Sequence, residues 1–121
     1  SVTTFAYPYG ATNATVSNLV KQAGYTSARG VNDTAANTAS TDKYALNSFC
    51  AENSTPFSNV KSRIDSAKAN KQWFVLCVHQ VDTSGDQFSM TPSMLKQIVD
   101  YVKSSGIKVV TVKEGRALMP N

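Results

Sequence analysis

The sequence predicts an α/β fold with parallel strands in the order β-α-β-β-α-β-α-β, and three observations predict it. Apolar residues alternate between a strand-like period near two and a helical period near 3.6 along the whole chain. The helical stretches fall between the strand-like ones, which calls for crossover connections and parallel pairing. Trp73-Phe74-Val75-Leu76-Cys77-Val78 is a continuous apolar run, the pattern of a strand buried on both faces.

Thr3-Thr4-Phe5-Ala6 reads as a first short strand and runs into Tyr7-Pro8-Tyr9-Gly10, a loop by its Pro and Gly. Asn13 or Thr12 caps a helix through Ala23, with Val16, Leu19, Val20 and Ala23 on one face and Gly24 as its stop. Tyr25 to Arg29 is the second strand. Gly30 to Asp42 carries small and polar residues and is expected as a surface loop. Tyr44 to Phe49 returns to strand-like alternation. Thr55-Pro56 starts the next helix, whose buried face is Val60, Ile64 and Ala67. The apolar strand from Trp73 follows, then a polar loop from Asp82 to Ser89. Thr91-Pro92 repeats the helix start, and Leu95, Ile98, Val99 and Val102 form a stripe ending at Gly106. Ile107 to Val112 is expected as the last buried strand, with a short amphipathic tail at Ala117-Leu118-Met119.

Residues 1–121 make one domain's worth of chain, with 41% hydrophobic residues to build its core. The formal net charge is +4, and the basic residues are scattered rather than striped, so no nucleic-acid partner is expected. No apolar run approaches the roughly 20 residues of a membrane span. Ser1 opens no signal-peptide pattern, which leaves two expectations: a leader has been removed, or the chain starts inside a longer gene product. A surface rich in Ser, Thr, Asn and Ala and poor in Glu suits a secreted or cell-surface protein. Asn-x-Ser/Thr triplets at Asn13, Asn32 and Asn53 carry little weight in so Ser/Thr-rich a chain. Cys50 and Cys77 read equally as one disulfide or as two buried thiols.

Function in α/β folds sits at the carboxyl ends of strands, which singles out two loops: Tyr7-Pro8-Tyr9-Gly10 and His79-Gln80-Val81-Asp82. His79 is the one histidine of the chain, and an imidazole there can act as general acid or base; a satisfied, partly buried histidine is the equal alternative. Cys77 and His79 fall on one strand face, yet a buried thiol is a better reading than a nucleophilic pair. Asp82 either orients His79 or serves a turn, and the turn is favoured. Arg29 follows a strand beside a loop with Asp33 as its nearest acid, while Arg63 and Arg116 look like helix-surface residues. The two tyrosines of the first loop offer the apolar faces and hydroxyls that suit sugar rings, with a structural aromatic corner as the plainer alternative. One His, two Cys and scattered carboxylates have no metal-ligand spacing, so no metal is expected on this chain.

Phe5-Ala6-Tyr7-Pro8-Tyr9-Gly10, followed by a helix and then Ala23-Gly24-Tyr25-Thr26-Ser27-Ala28-Arg29, resembles the third conserved block of the polysaccharide deacetylases (the NodB-homology family, carbohydrate esterase family 4). Leu76-Cys77-Val78-His79 is similar to that family's Leu-x-x-His block, and Met94 through Val112 with Glu114 to its last helix and strand. The resemblance covers essentially the whole chain. It implies a partial (β/α) barrel: the carboxyl-terminal part of an enzyme that removes acetyl groups from N-acetylated polysaccharides such as chitin, peptidoglycan or poly-N-acetylglucosamine.

The resemblance also implies roles. His79 matches the acid that protonates the leaving amine, Tyr9 the position whose backbone N–H holds the oxyanion, and Leu76 the acetyl-methyl pocket. Tyr7, Pro8 and Trp73 join Leu76 as expected substrate-binding residues. Arg29 is expected to replace the family's arginine and to point into the cleft beside His79. The first two family blocks, an Asp-Asp strand end and a His-x-x-x-His helix, do not occur in this chain. They carry the catalytic base and the ligands of a divalent metal, zinc in the complete enzyme. The chain alone is therefore expected to be inactive and to pair with a missing amino-terminal half or a second copy. The alternative is a non-catalytic carbohydrate-binding or scaffold module; a small hydrolase using Cys77 and His79 ranks last.

Overall fold

The computed structural model describes residues 1–119. Its strands are short. β1 (Thr4–Ala6) and β2 (Ser27–Arg29) pair in parallel, with Phe5 opposite Ala28 and Ala6 opposite Arg29. Hydrogen bonds then carry the pairing onward: Ala28 N–H donates to the Lys43 carbonyl, and Leu46 N–H and Gly30 N–H bond across the same gap. Leu46 is thereby level with Arg29. The chain continues into β3 (Phe49–Cys50), which pairs in parallel with β4 (Leu76–Cys77). β1, β2, the segment 43–50 and β4 thus lie side by side in chain order, all pointing one way. β5 (Gln80–Val81) and β6 (Ser89–Met90) form a separate parallel pair. Among the described residues the strands do not close into a barrel.

Helices connect these strands, and local chemistry sets their ends. α1 (Ala14–Gln22) begins at Asn13, whose side chain accepts the Val16 N–H at 2.9 Å. α3 (Pro92–Ser105) begins at Thr91, which accepts the Met94 N–H, and stops at Gly106 with φ +69°, where a side chain would be strained. α2 (Phe57–Ala69) starts one residue later than the Thr55-Pro56 signal implies: Pro56 is still extended, and the Thr55 hydroxyl accepts the Glu52 N–H instead.

Two apolar clusters cover the strands. Tyr7, Val20, Ala28 and Tyr44 are buried in one, with Phe5, Val16 and Tyr25 against them. Phe49, Ala51, Val60, Ile64, Met90 and Ile98 form the other, where α2 and α3 pack on the β3–β4 pair. Each buried aliphatic side chain contributes about 1.5–3 kcal/mol. A polar seam ties the two helices together: the Tyr101 hydroxyl donates to the Asp65 carboxylate, and Lys61 reaches the other oxygen at 2.7 Å. That pairing holds the Asp65 carboxyl below its ordinary value, Lys61 acting first and Tyr101 second.

Three sequence expectations fail here. Ile107 to Val112 forms no strand: Val109 is 78% exposed, and the chain enters α4 (Val112–Ala117) instead. A reciprocal capping box explains the switch, since Thr111 accepts the Glu114 N–H while the Glu114 carboxylate accepts the Thr111 N–H. No strand neighbours residues 107–111 among the described residues to favour extension. The apolar run from Trp73 to Val78 is only half-buried, and its ladder is confined to Leu76–Cys77, for want of a second neighbour. The loop 30–42 is not all surface. Asn37 is 1% exposed; its side-chain amide donates to the Asn47 and Trp73 carbonyls and accepts the Asn47 N–H.

Candidate functional site

β1 delivers its chain to the Tyr7–Gly10 turn at the carboxyl edge of the parallel run. Tyr7 N–H donates to the Arg29 carbonyl, which fixes the turn to the end of β2. Pro8 to Gly10 make one 3₁₀ turn, closed by Gly10 N–H to the Tyr7 carbonyl at 2.9 Å. Two residues in succession, Tyr9 (φ +56°) and Gly10 (φ +68°), adopt left-handed backbone. For Tyr9 that conformation costs energy, the kind of local strain that gathers at functional sites. Gly10 is required twice over, because a Cβ there would lie 2.2 Å from Val31 Cγ2.

The turn separates its two tyrosines. Tyr9 projects fully into solvent, and no hydrogen bond among the described residues uses its N–H. Tyr7 does the opposite: it is 3% exposed, its hydroxyl donates to the Tyr44 carbonyl at 2.9 Å, and its ring meets Phe5 edge-on. Pro8 is exposed beside them. The expectation of Tyr7 as a sugar-facing residue is therefore corrected to a buried aromatic corner. Its inner edge helps line a shallow cavity of about 340 Å³ with Gly10, Gly30, Val31, Asn32 and Leu46.

His79 stands three residues beyond Leu76, past the end of β4, and is exposed. Its ring lies 5.0 Å from that of Phe88, tilted by 41°. Phe88 is an isolated aromatic in a polar loop, and no periodicity in the sequence marks it. The Asp82 carboxylate accepts the Ser84 hydroxyl at 2.7 Å and the Ser84 N–H at 3.0 Å, which lower its pKa, the hydroxyl more. Asp82 thus serves the turn, not His79. Leu76 packs into the β3–β4 core.

Arg29 is half-buried, near enough to the Cys50 thiol to favour its ionised form. Its nearest acid in sequence, Asp33, is held instead by Arg63 at 2.8 Å, and the Arg63 guanidinium lies 3.9 Å from the centre of the Phe49 ring. Arg63 is therefore no plain surface residue. Among the described residues, no hydrogen bond or ion pair joins Arg29 to His79 or either of them to Tyr9. Trp73 is also placed apart. It lies three residues before Leu76, at the amino end of β4, where its backbone pairs with Asn37 and its indole packs on Gly115. Trp73 and His79 therefore stand on opposite sides of β4 along the strand.

Family models, curated proteins and solved structures contain no match to this chain. The site is thus read from its own chemistry. It offers an exposed imidazole, a strained turn with a free N–H, and an exposed aromatic ring. No three His, Cys, Asp or Glu side chains among the described residues gather to hold a metal ion. No helix of the described residues is long and apolar enough to cross a membrane.

Proposed function

We propose that this chain is the carboxyl-terminal part of a metal-dependent polysaccharide deacetylase, a partial (β/α) barrel that works on N-acetylated amino-sugar polymers outside the cell or at its surface. One observation carries the reading: the Tyr7–Gly10 turn and His79 each follow a strand of one parallel run, at its carboxyl edge. That is the placement and order the resemblance requires of these two blocks. In this reading a water oxygen adds to the acetamide carbonyl, the C–N bond breaks, and acetate and a free amine leave. His79 gives the amine its proton. The Tyr9 N–H, with no acceptor among the described residues, contacts the oxyanion. In this reading the base and the metal ligands come from a segment outside this chain, and this chain supplies the acid and oxyanion contacts.

A second reading, a non-catalytic carbohydrate-binding module, is favoured by the full exposure of the Tyr9 ring, which offers a sugar a stacking face. One experiment separates the two. The full open reading frame that encodes this chain is expressed, loaded with zinc and assayed for acetate release from chitooligosaccharides and peptidoglycan fragments. Deacetylation that falls at least tenfold on His79→Ala, with no turnover by residues 1–121 alone, supports the enzyme. Saccharide binding by residues 1–121 that is lost on Tyr9→Ala, with an inert full-length product, replaces the enzyme with the module. Equal activity of wild type and His79→Ala removes His79 from the mechanism.

A further inference from the structure

Cys50 and Cys77 stand directly opposite each other as register partners on β3 and β4. Residues paired across adjacent strands send their side chains to the same face, and neighbouring strands run about 4.8 Å apart. That spacing falls within the roughly 4.4–6.8 Å between Cα atoms that a disulfide bridges. Both residues are half-buried and carry free thiols, and the Cys77 thiol lies against that of Cys50. The position matters, because Cys77 is two residues before His79 and its strand end carries that side chain.

We propose that Cys50 and Cys77 are a dithiol that closes to an intramolecular disulfide, a covalent staple between β3 and β4 just below the strand end leading to His79. The chemistry balances with a small-molecule disulfide such as oxidised glutathione as oxidant. Cys77, as thiolate, attacks one glutathione sulfur; the S–S bond breaks and one glutathione thiol departs with the proton Cys77 gave up. Cys50 then loses its proton to solvent and attacks the Cys77 sulfur, displacing the second glutathione as a thiol. Two protein thiols are oxidised by two electrons, and one external disulfide is reduced to two thiols.

The surroundings assign these roles. Burial first, then the neighbouring Cys77 thiol, pushes the Cys50 thiol up to about 12; Asp33 adds to this and Arg29 opposes it. Cys50 is thus a poor first attacker, so Cys77 takes the external sulfur first and Cys50 then resolves the mixed disulfide.

The test uses the folded chain in glutathione redox buffers, quenched with acid and read by mass spectrometry and thiol counting. The expected end state is a monomer that has lost both thiols and carries no glutathione, reached through a transient adduct on Cys77. Cys50→Ala stops at that adduct. The wild-type end state decides the matter even where the variant fails to fold. Persistent adducts on the wild type, a disulfide only between chains, or closure only in denaturant overturns the proposal.

Discussion

Replacing Asn37 by alanine should destabilise the fold well beyond what a loop residue ordinarily costs. The Asn37 amide donates to the Asn47 carbonyl at 2.9 Å and accepts the Asn47 N–H at 2.8 Å, while its third bond, to the Trp73 carbonyl, is longer at 3.3 Å. The Trp73 carbonyl keeps the Asn37 backbone N–H in the variant, so the two groups orphaned are both on Asn47. Each orphaned group costs about 1–3 kcal/mol when water cannot replace its partner. Asn47 is half-buried, so some water reaches it and the sum settles at about 2–4 kcal/mol. For a domain of this size that lowers Tm by roughly 8–16 °C. Urea unfolding followed by the fluorescence of Trp73, the chain's single tryptophan and a direct neighbour of Asn37, measures the change. Asn37→Asp sharpens the test. It keeps an acceptor but loses the donors and buries a carboxyl whose ionised form is penalised. Its folded pKa is raised, so its stability is greatest below about pH 4 and falls as pH rises. A loss under about 0.5 kcal/mol for Asn37→Ala, the range of an exposed loop substitution, refutes the reasoning.

Two further outcomes are expected. Gly115→Ala places a Cβ 2.4 Å from Trp73 Cε2, so α4 or the indole must shift; a cost of about 1–3 kcal/mol and an altered Trp73 emission maximum are expected, and an unchanged spectrum counts against the packing. Cys50, raised from 9.0 to about 12, should alkylate about a thousandfold more slowly than an ordinary thiol at pH 8 and speed up tenfold per pH unit. Peptide mapping reads it separately from Cys77. Because the Cys50 pKa is raised, the stability contributed by its neutral thiol is complete below about pH 9 and is lost as pH rises through about 12.

What the chain declares about itself is mostly local. Asn13, Thr91 and Gly106 act within one helical turn, and each ends a helix where its residue type says it should. The Thr-x-x-Glu spacing from Thr111 to Glu114 is equally local and legible, and it outweighs the apolar run before it. Strands are different, because an extended segment is a strand only when a neighbour hydrogen-bonds to it. Nothing in Ile107 to Val112 says whether that neighbour exists. Side-chain roles at the site follow the same division. The placement of the Tyr7–Gly10 turn and His79 at strand ends follows from chain order. The inward turn of Tyr7, the clasp of Asp33 by Arg63 and the packing of Trp73 on Gly115 depend on partners 30 or more residues away, which no spacing rule reaches.

The division of the site and the openness of the sheet have one physical root. Ala6, Arg29 and Leu46 are level with one another, but β4 is level with Phe49, three residues further along the neighbouring segment. His79 therefore lies well beyond the level of Tyr9, and no hydrogen bond among the described residues draws the two together. Among the described residues β1 pairs with β2 alone, and β4 has its ladder with β3 alone. Bare edges of this kind attract further strands, because their N–H and C=O groups are otherwise left to water. Residues 107–111, apolar and unpaired among the described residues, add a third surface of the same kind. A segment that paired with these edges would extend the parallel run on either side. On the reading proposed above, the partner that brings the base and the metal ligands is also the one that covers these edges. Catalytic competence and protection of the edges would then be gained in the same step.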